Sequence, residues 1–150
     1  MRNTRWVLAH SWLWMAGLFL IGTNALAQSQ IEKTVKAGKW QKRILVVYTP
    51  SDQSADYKQQ KEILASETSG LNDRDMLIID ALENQLSIAD KTYLRDDLNV
   101  KSSNFAVVLI GKDGGVKIRQ TKPLPTKSLF ATIDGMSMRQ QEMREKKRKQ

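Results

Sequence analysis

The stretch Phe105-Ala-Val-Val-Leu-Ile-Gly-Lys-Asp-Gly-Gly-Val-Lys-Ile-Arg-Gln120 holds two strand patterns separated by one turn. Phe105–Ile110 is continuously apolar, as in a strand buried on both faces of a sheet. Val116–Gln120 alternates apolar and polar residues, as in a strand with one wet face. Between them, Asp113-Gly114-Gly115 offers positive φ without a Cβ clash, which a tight hairpin demands. The same glycines do not make a phosphate loop, because the G-x-x-x-x-G-K-[ST] spacing is missing and a strand follows where a helix should.

Working outward, Arg43-Ile-Leu-Val-Val-Tyr-Thr49 reads as another strand buried on both faces, and Asp75-Met-Leu-Ile-Ile-Asp80 as a third. A helix is expected over Ser54–Ser69, capped by Ser51, Asp52 or Ser54 and stopped by Gly70. A shorter one is expected over Ile88–Leu98. Pro123-Leu-Pro125 ends the hairpin, and Leu129, Phe130, Ile133 and Met136 then form a helical stripe. Residues 28–39 read as a polar lead-in broken at Gly38, and Met138–Gln150 as a charged, fraying extension. The order is β-α-β-α-β-β-α. Strands joined through helices should run parallel, with the hairpin adding an antiparallel strand and helices on both faces. That is an α/β, thioredoxin-like three-layer sandwich with a mixed central sheet over residues 40–138, followed by a basic tail over 139–150.

The ends of the chain set the compartment. Arg2 and Arg5 precede the apolar run Trp12–Gly22, and Ala25 and Ala27 complete an A-x-A site. Residues 1–27 therefore read as a secretory signal peptide, the alternative being a retained anchor. Its removal takes His10, the single histidine, and leaves no histidine catalyst or ligand. The chain has no cysteine, so an exported product must hold its fold without disulfides. This suits a periplasmic or secreted bacterial protein. Taking Arg2 and Arg5 from the net +8 leaves +6, of which residues 139–150, with six basic and two acidic side chains, hold +4. The body is nearly neutral, and the basicity is a local feature of the tail.

Three segments together resemble one family. Trp40-x-x-Arg43-Ile-Leu-Val-Val-Tyr-Thr-Pro50, the run Phe105-x-Val-Val-Leu-Ile-Gly-Lys-Asp-Gly-Gly-Val-Lys117 and Phe130-x-x-Ile-Asp-x-Met-x-Met-Arg-x-x-Glu-Met143 are similar to the DUDES domain. This domain of unknown function stands alone in exported bacterial proteins and also occurs inside sushi-repeat extracellular-matrix proteins. The resemblance covers nearly all of residues 38–144 and implies a thioredoxin-like fold related to peroxiredoxins, without their catalytic cysteines. It implies no established activity. Where thioredoxins place a proline before the third strand, Ser103-Asn104 stands here.

Thiol redox catalysis is excluded, since the thiolate is its nucleophile. Oxidation of Met136, Met138 or Met143 is a weaker idea, because methionines beside a helix stripe normally pack. The junction Thr49-Pro50-Ser51-Asp52-Gln53-Ser54 joins a strand end to a helix start, where backbone N–H groups and hydroxyls can hold an anion. Asp52 and Asp56 oppose that, and a plain helix cap is the simpler expectation. Asp73 with Asp75, or Asp96 with Asp97, lack any cation-loop spacing and are expected as surface charge. Arg144, Lys146, Lys147, Arg148 and Lys149 form a basic run fit to touch an anionic envelope or extracellular surface, with the aromatics of a nucleic-acid platform missing. The expected product is thus a non-catalytic binding module with no cofactor, metal or nucleic acid. Its ligand site lies at Thr49, Pro50, Ser51, Asp52 and Asn104, where open α/β sheets meet ligands, and its partner is a protein or an anionic surface. The alternative is an enzyme using non-thiol chemistry at Thr49–Ser54. It lacks an activated nucleophile.

Overall fold

The structure, a computed structural model, describes residues 28–101 and 103–149. The signal-peptide reading of residues 1–27 lies outside the described residues. Four strands form one sheet in the order β2-β1-β3-β4: β1 Arg43–Thr49, β2 Met76–Leu82, β3 Ala106–Ile110 and β4 Val116–Gln120. Among the described residues six α-helices accompany them, α1 Gln30–Gly38, α2 Ala55–Ala65, α3 Thr68–Asp73, α4 Ile88–Asp96, α5 Thr126–Asp134 and α6 Ser137–Arg148, with a short 3-10 helix at Glu83–Gln85.

The apolar runs lie in the middle of the sheet, as their composition demands. Every residue of β1 and of β3 is buried. Ile44, Val46 and Tyr48 of β1 join Val108 and Ile110 of β3 on one face, under α1 and α4. Leu45, Val47, Val107 and Leu109 line the other face, under α2, α3 and α5. Leu129 and Ile133 of the α5 stripe are fully buried there, each contributing about 1.5–3 kcal/mol of burial. The hairpin closes where expected: Gly114 has φ +84°, and its N–H donates to the Gly111 carbonyl at 2.9 Å.

Several expectations need correcting. Residues 30–38 are a helix, not a lead-in: Ile31 and Val35, one turn apart, bury their side chains in the core beside α4. Ser29 caps α1 by accepting from the Glu32 amide at 3.0 Å. The long helix after β1 is two helices, and Gly70 sits inside α3 instead of stopping α2. Its place follows from packing, since a Cβ there would lie 2.7 Å from the Phe130 ring. β2 pairs only with β1 and is an edge strand, mostly half-buried.

β2 runs parallel to β1, but β3 is antiparallel to β1, although α4 connects β2 to β3. The helix-linked rule therefore holds for the first crossover and fails for the second. Finally, the charged C-terminal extension is a helix, α6, and it is docked, because Arg139 is buried. Among the described residues no helix is long and apolar enough to cross a membrane.

Candidate functional site at the C-terminal end of the central strand

β1 delivers Thr49 to the sheet edge fully buried, and the chain then turns sharply. The Thr49 hydroxyl donates to the Ser51 carbonyl at 2.7 Å, and the Ser51 hydroxyl accepts from the Gln53 amide at 3.1 Å. The Ser54 amide donates to the Ser51 carbonyl at 3.1 Å, closing the turn. Ser54 occupies the N-cap of α2, yet its side chain makes no capping bond. The hydroxyls of this junction thus shape a turn and do not cap the helix, correcting the capping expectation.

Antiparallel pairing of Tyr48 with Ala106 places the approach to β3 beside the end of β1. Asn104 consequently joins Pro50, Ser51, Ser54, Asp56, Phe105 and Thr121 around one open cavity of about 350 Å³. Three of the five residues expected at the site meet there, although more than fifty positions separate Ser51 from Asn104. The other two do not line it: Thr49 is buried, and Asp52 is exposed.

Two further cavities share residues with this end of the sheet. One, of about 420 Å³, is bounded by Tyr48, Glu83, Lys91 and Ser103 among others. The Tyr48 hydroxyl donates to Glu83 Oε2 at 2.8 Å, and Lys91 Nζ lies 2.8 Å from Glu83 Oε1. Burial, then the Glu83 carboxylate, pushes the Tyr48 phenol far above its ordinary range, so it stays protonated. The hydrogen bond from Lys91 holds Glu83 below the usual carboxylate value. The other cavity, of about 530 Å³, takes in Asn104, Phe105 and Thr121 and adds Lys101, Arg119 and Lys122. Those three cations come from the loop before β3, the end of β4 and the segment that follows it. Nothing in their sequence spacing points to one site.

The opposite end of the sheet is a charge cluster that sequence reading missed. Arg43, buried at the head of β1, donates to Glu142 of α6 through Nη1 at 3.2 Å and Nη2 at 3.0 Å. Lys112, from the hairpin turn, reaches the same carboxylate at 2.8 Å and Asp75 at 2.8 Å. Arg139 pairs with Asp73 and, at 3.3 Å, with Asp134. Asp73 and Asp75 are therefore bound to cations of other elements and are not free surface charge. The hydrogen bonds from Lys146 and Arg139 hold Asp73 below its ordinary value, and the one from Lys112 does so for Asp75. Glu142 is pushed up by burial but held low by its bonds from Arg43 and Lys112. An arginine opening an apolar strand and glutamates set within a basic run were the available signals.

Of the tail cations, Lys146 is ion-paired to Asp73 at 2.7 Å. Arg144, Lys147, Arg148 and Lys149 form no ion pair among the described residues.

A mixed four-stranded sheet between two helical layers, in a chain without cysteine, defines a cysteine-free thioredoxin-like domain. Solved structures agree. The reduced 2-Cys peroxiredoxin of Plasmodium vivax aligns with TM-score 0.54 at 14% identity, covering 71% of this chain and 83% of that one. Plasmodium yoelii Prx1a aligns with TM-score 0.52 at 14% identity, covering 71% and 80%. At that identity the likeness shows the fold alone. The chain belongs to the family described as Domain of unknown function (DUF4174), whose profile matches residues 34–142. Its relatives include the sushi repeat-containing protein SRPX2 of Rattus norvegicus, 30% identical over 67% of this chain and 24% of that protein. Coiled-coil domain-containing protein 80 of Danio rerio is 26% identical over 75% of this chain and 16% of that protein. The chain thus spans a quarter or less of the length of these curated relatives. The resemblance to the domain of sushi-repeat proteins is borne out.

Proposed function

We propose that this chain is an exported, non-catalytic binding module whose ligand face is the C-terminal end of the sheet, at Thr49, Pro50, Ser51, Asp52 and Asn104. One observation carries the reading: Pro50, Ser51 and Asn104, remote in sequence, line one cavity at the sheet edge where α/β folds take ligands. Thr49 supports that rim from below through its bond to the Ser51 carbonyl. Export to the periplasm or outside the cell is supported by the signal-peptide pattern of residues 1–27 and by the kinship with sushi-repeat proteins. The partner is another protein or an anionic surface, with Arg144, Lys147, Arg148 and Lys149 adding a second, electrostatic contact.

The rival enzyme reading fits the junction less well. A serine or threonine nucleophile needs a neighbouring base, whereas the Thr49 proton is directed at a carbonyl and Ser51 Oγ accepts from an amide. Crosslinking in the producing cell, followed by mass spectrometry, tests the proposal with wild type, Ser51→Ala and Asn104→Ala. Adducts lost in the variants at unchanged Tm support it. Adducts identical in all three proteins overturn it.

A further inference from the structure

The cavity of about 530 Å³ beside the junction has a lining of unusual charge. Lys101, Arg119 and Lys122 surround it, and no carboxylate contributes to it. The buried and half-buried cations at the opposite end of the sheet are matched, Arg43, Arg74, Lys112 and Arg139 all holding carboxylates. Lys101 and Lys122 hold none among the described residues. Arg119 spends one donor on the Leu98 carbonyl, 2.7 Å from its Nε, which fixes the guanidinium and leaves its other N–H groups without a carboxylate partner. The remaining polar lining is neutral and can both donate and accept: Asn99, Asn104, Gln120 and Thr121. The volume lies within the range of about 300–1,000 Å³ usual for small-ligand sites.

We infer that this cavity binds an acidic sugar, a saccharide carrying carboxylate or sulfate groups, as the ligand of the binding face. Three exposed cations that converge without a carboxylate raise the local positive potential and attract an anion, and the guanidinium of Arg119, held through its Nε, offers its terminal N–H groups to a planar carboxylate or a sulfate. Amides and a hydroxyl around them match the hydroxyls of a polyol. An acidic peptide fits less well, because interface hot spots need apolar pockets and the apolar lining here, Val100, Phe105 and Ala106, is already buried. The same lack of exposed apolar side chains disfavours a lipid surface, and Phe105 offers no open face for stacking a base. Asn104, Phe105 and Thr121 belong to both this cavity and the junction cavity, whose lining includes Asp56, so the acidic groups of the sugar sit on the side of Lys101, Arg119 and Lys122 and only its neutral hydroxyls reach the junction.

The inference rests on the binding-module reading. Titration calorimetry of the full exported chain with trigalacturonate tests it, with neutral cellotriose and hexaglutamate as comparisons. Lys101→Gln and Lys122→Gln remove charges without an ion-pair partner in the fold, and melting confirms that both remain folded. The expected result is binding of trigalacturonate that falls about tenfold for each lost cation, with cellotriose and hexaglutamate binding far more weakly. No binding of trigalacturonate to the wild type overturns the inference, as does hexaglutamate binding equally well. Binding that persists in both variants but disappears on removal of residues 144–150 also overturns it, by assigning the anion to α6. These failures are separate from failure of the binding-module reading, which falls if Ser51→Ala and Asn104→Ala leave the in-cell adducts unchanged.

Discussion

Arg43, the first residue of the central strand, grips Glu142 of the last helix with both terminal guanidinium nitrogens, at 3.2 and 3.0 Å, across 99 residues of chain. Arg43 is buried, and its Nε has no hydrogen-bond partner among the described residues. The Glu142 carboxylate also takes Lys112, so one acidic group neutralises two cations that the sheet and hairpin bring together. This fork joins α6 to the base of the sheet, while the other end of the sheet stays open.

Glu142→Ala leaves the buried Arg43 charge uncompensated and should cost about 3 kcal/mol of stability, read from urea unfolding. A loss below about 1 kcal/mol, the scale of an exposed pair, would mean that α6 is held by other contacts.

The same carboxylates set the response to acid. Asp73, Asp75 and Glu142 bind protons less tightly in the folded protein than their ordinary values of 3.8 and 4.5. The unfolded chain therefore takes up more protons as pH falls, and their contribution is complete above those ordinary values. It is lost progressively below them, as pH approaches the depressed folded values. Urea midpoints should be flat from neutrality to about pH 5 and fall below it. Glu142→Gln should be less stable at neutral pH and lose less on acidification. An identical pH slope in wild type and variant would contradict this.

Gly70→Ala separates packing from propensity. In α3 the helix preference alone favours alanine by about 1 kcal/mol. The new Cβ would meet Phe130 at 2.7 and 2.8 Å, an overpacking that costs about 1–3 kcal/mol. Moving the ring would also disturb the Arg74 guanidinium, which lies over it at 4.0 Å. Net destabilisation is expected, partly relieved by adding Phe130→Leu. Stabilisation by Gly70→Ala would show that the ring moves freely.

Asp90 fastens α1 to α4. Its carboxylate accepts from the Ser29 hydroxyl at 2.7 Å, the Ile31 amide at 3.1 Å and the Ser87 hydroxyl at 2.6 Å, while its own amide donates to Ser87 Oγ in a capping box. Asp90→Ala should cost about 2 kcal/mol and speed amide exchange in α1 more than in α5. Equal protection of α1 in both proteins would contradict this.

Local pattern reached most of the frame. The apolar runs of β1 and β3, the Asp-Gly-Gly hairpin, α4 and the α5 stripe from Leu129 to Ile133 lie where their residues demanded, whereas Met136 falls past the end of α5, at the N-cap of α6. Ile31 and Val35, spaced one helical turn behind a serine cap, carried the signal for α1, but a two-residue apolar stripe is easily lost among lysines. What remained hidden depends on partners distant in the chain. Lys112 reads as a turn residue and is in fact buried between Asp75 and Glu142. β2 has the composition of a central strand, and only the sheet order makes it an edge. At the candidate site, Pro50, Ser51 and Asn104 were legible because the fold class brings strand ends together. Lys101, Arg119 and Lys122 were not, since their convergence depends on how the β3 approach and the end of β4 are placed.

The central claim is that the C-terminal end of the sheet is the binding face, and photocrosslinking in the producing cell tests it most directly. A photoreactive amino acid at position 104 is compared with one at position 77, on the edge strand β2, and one at position 145, on α6. The account predicts specific adducts from position 104, none from position 77, and their loss when Ser51→Ala is added. Adducts from position 145 with none from position 104 would contradict it.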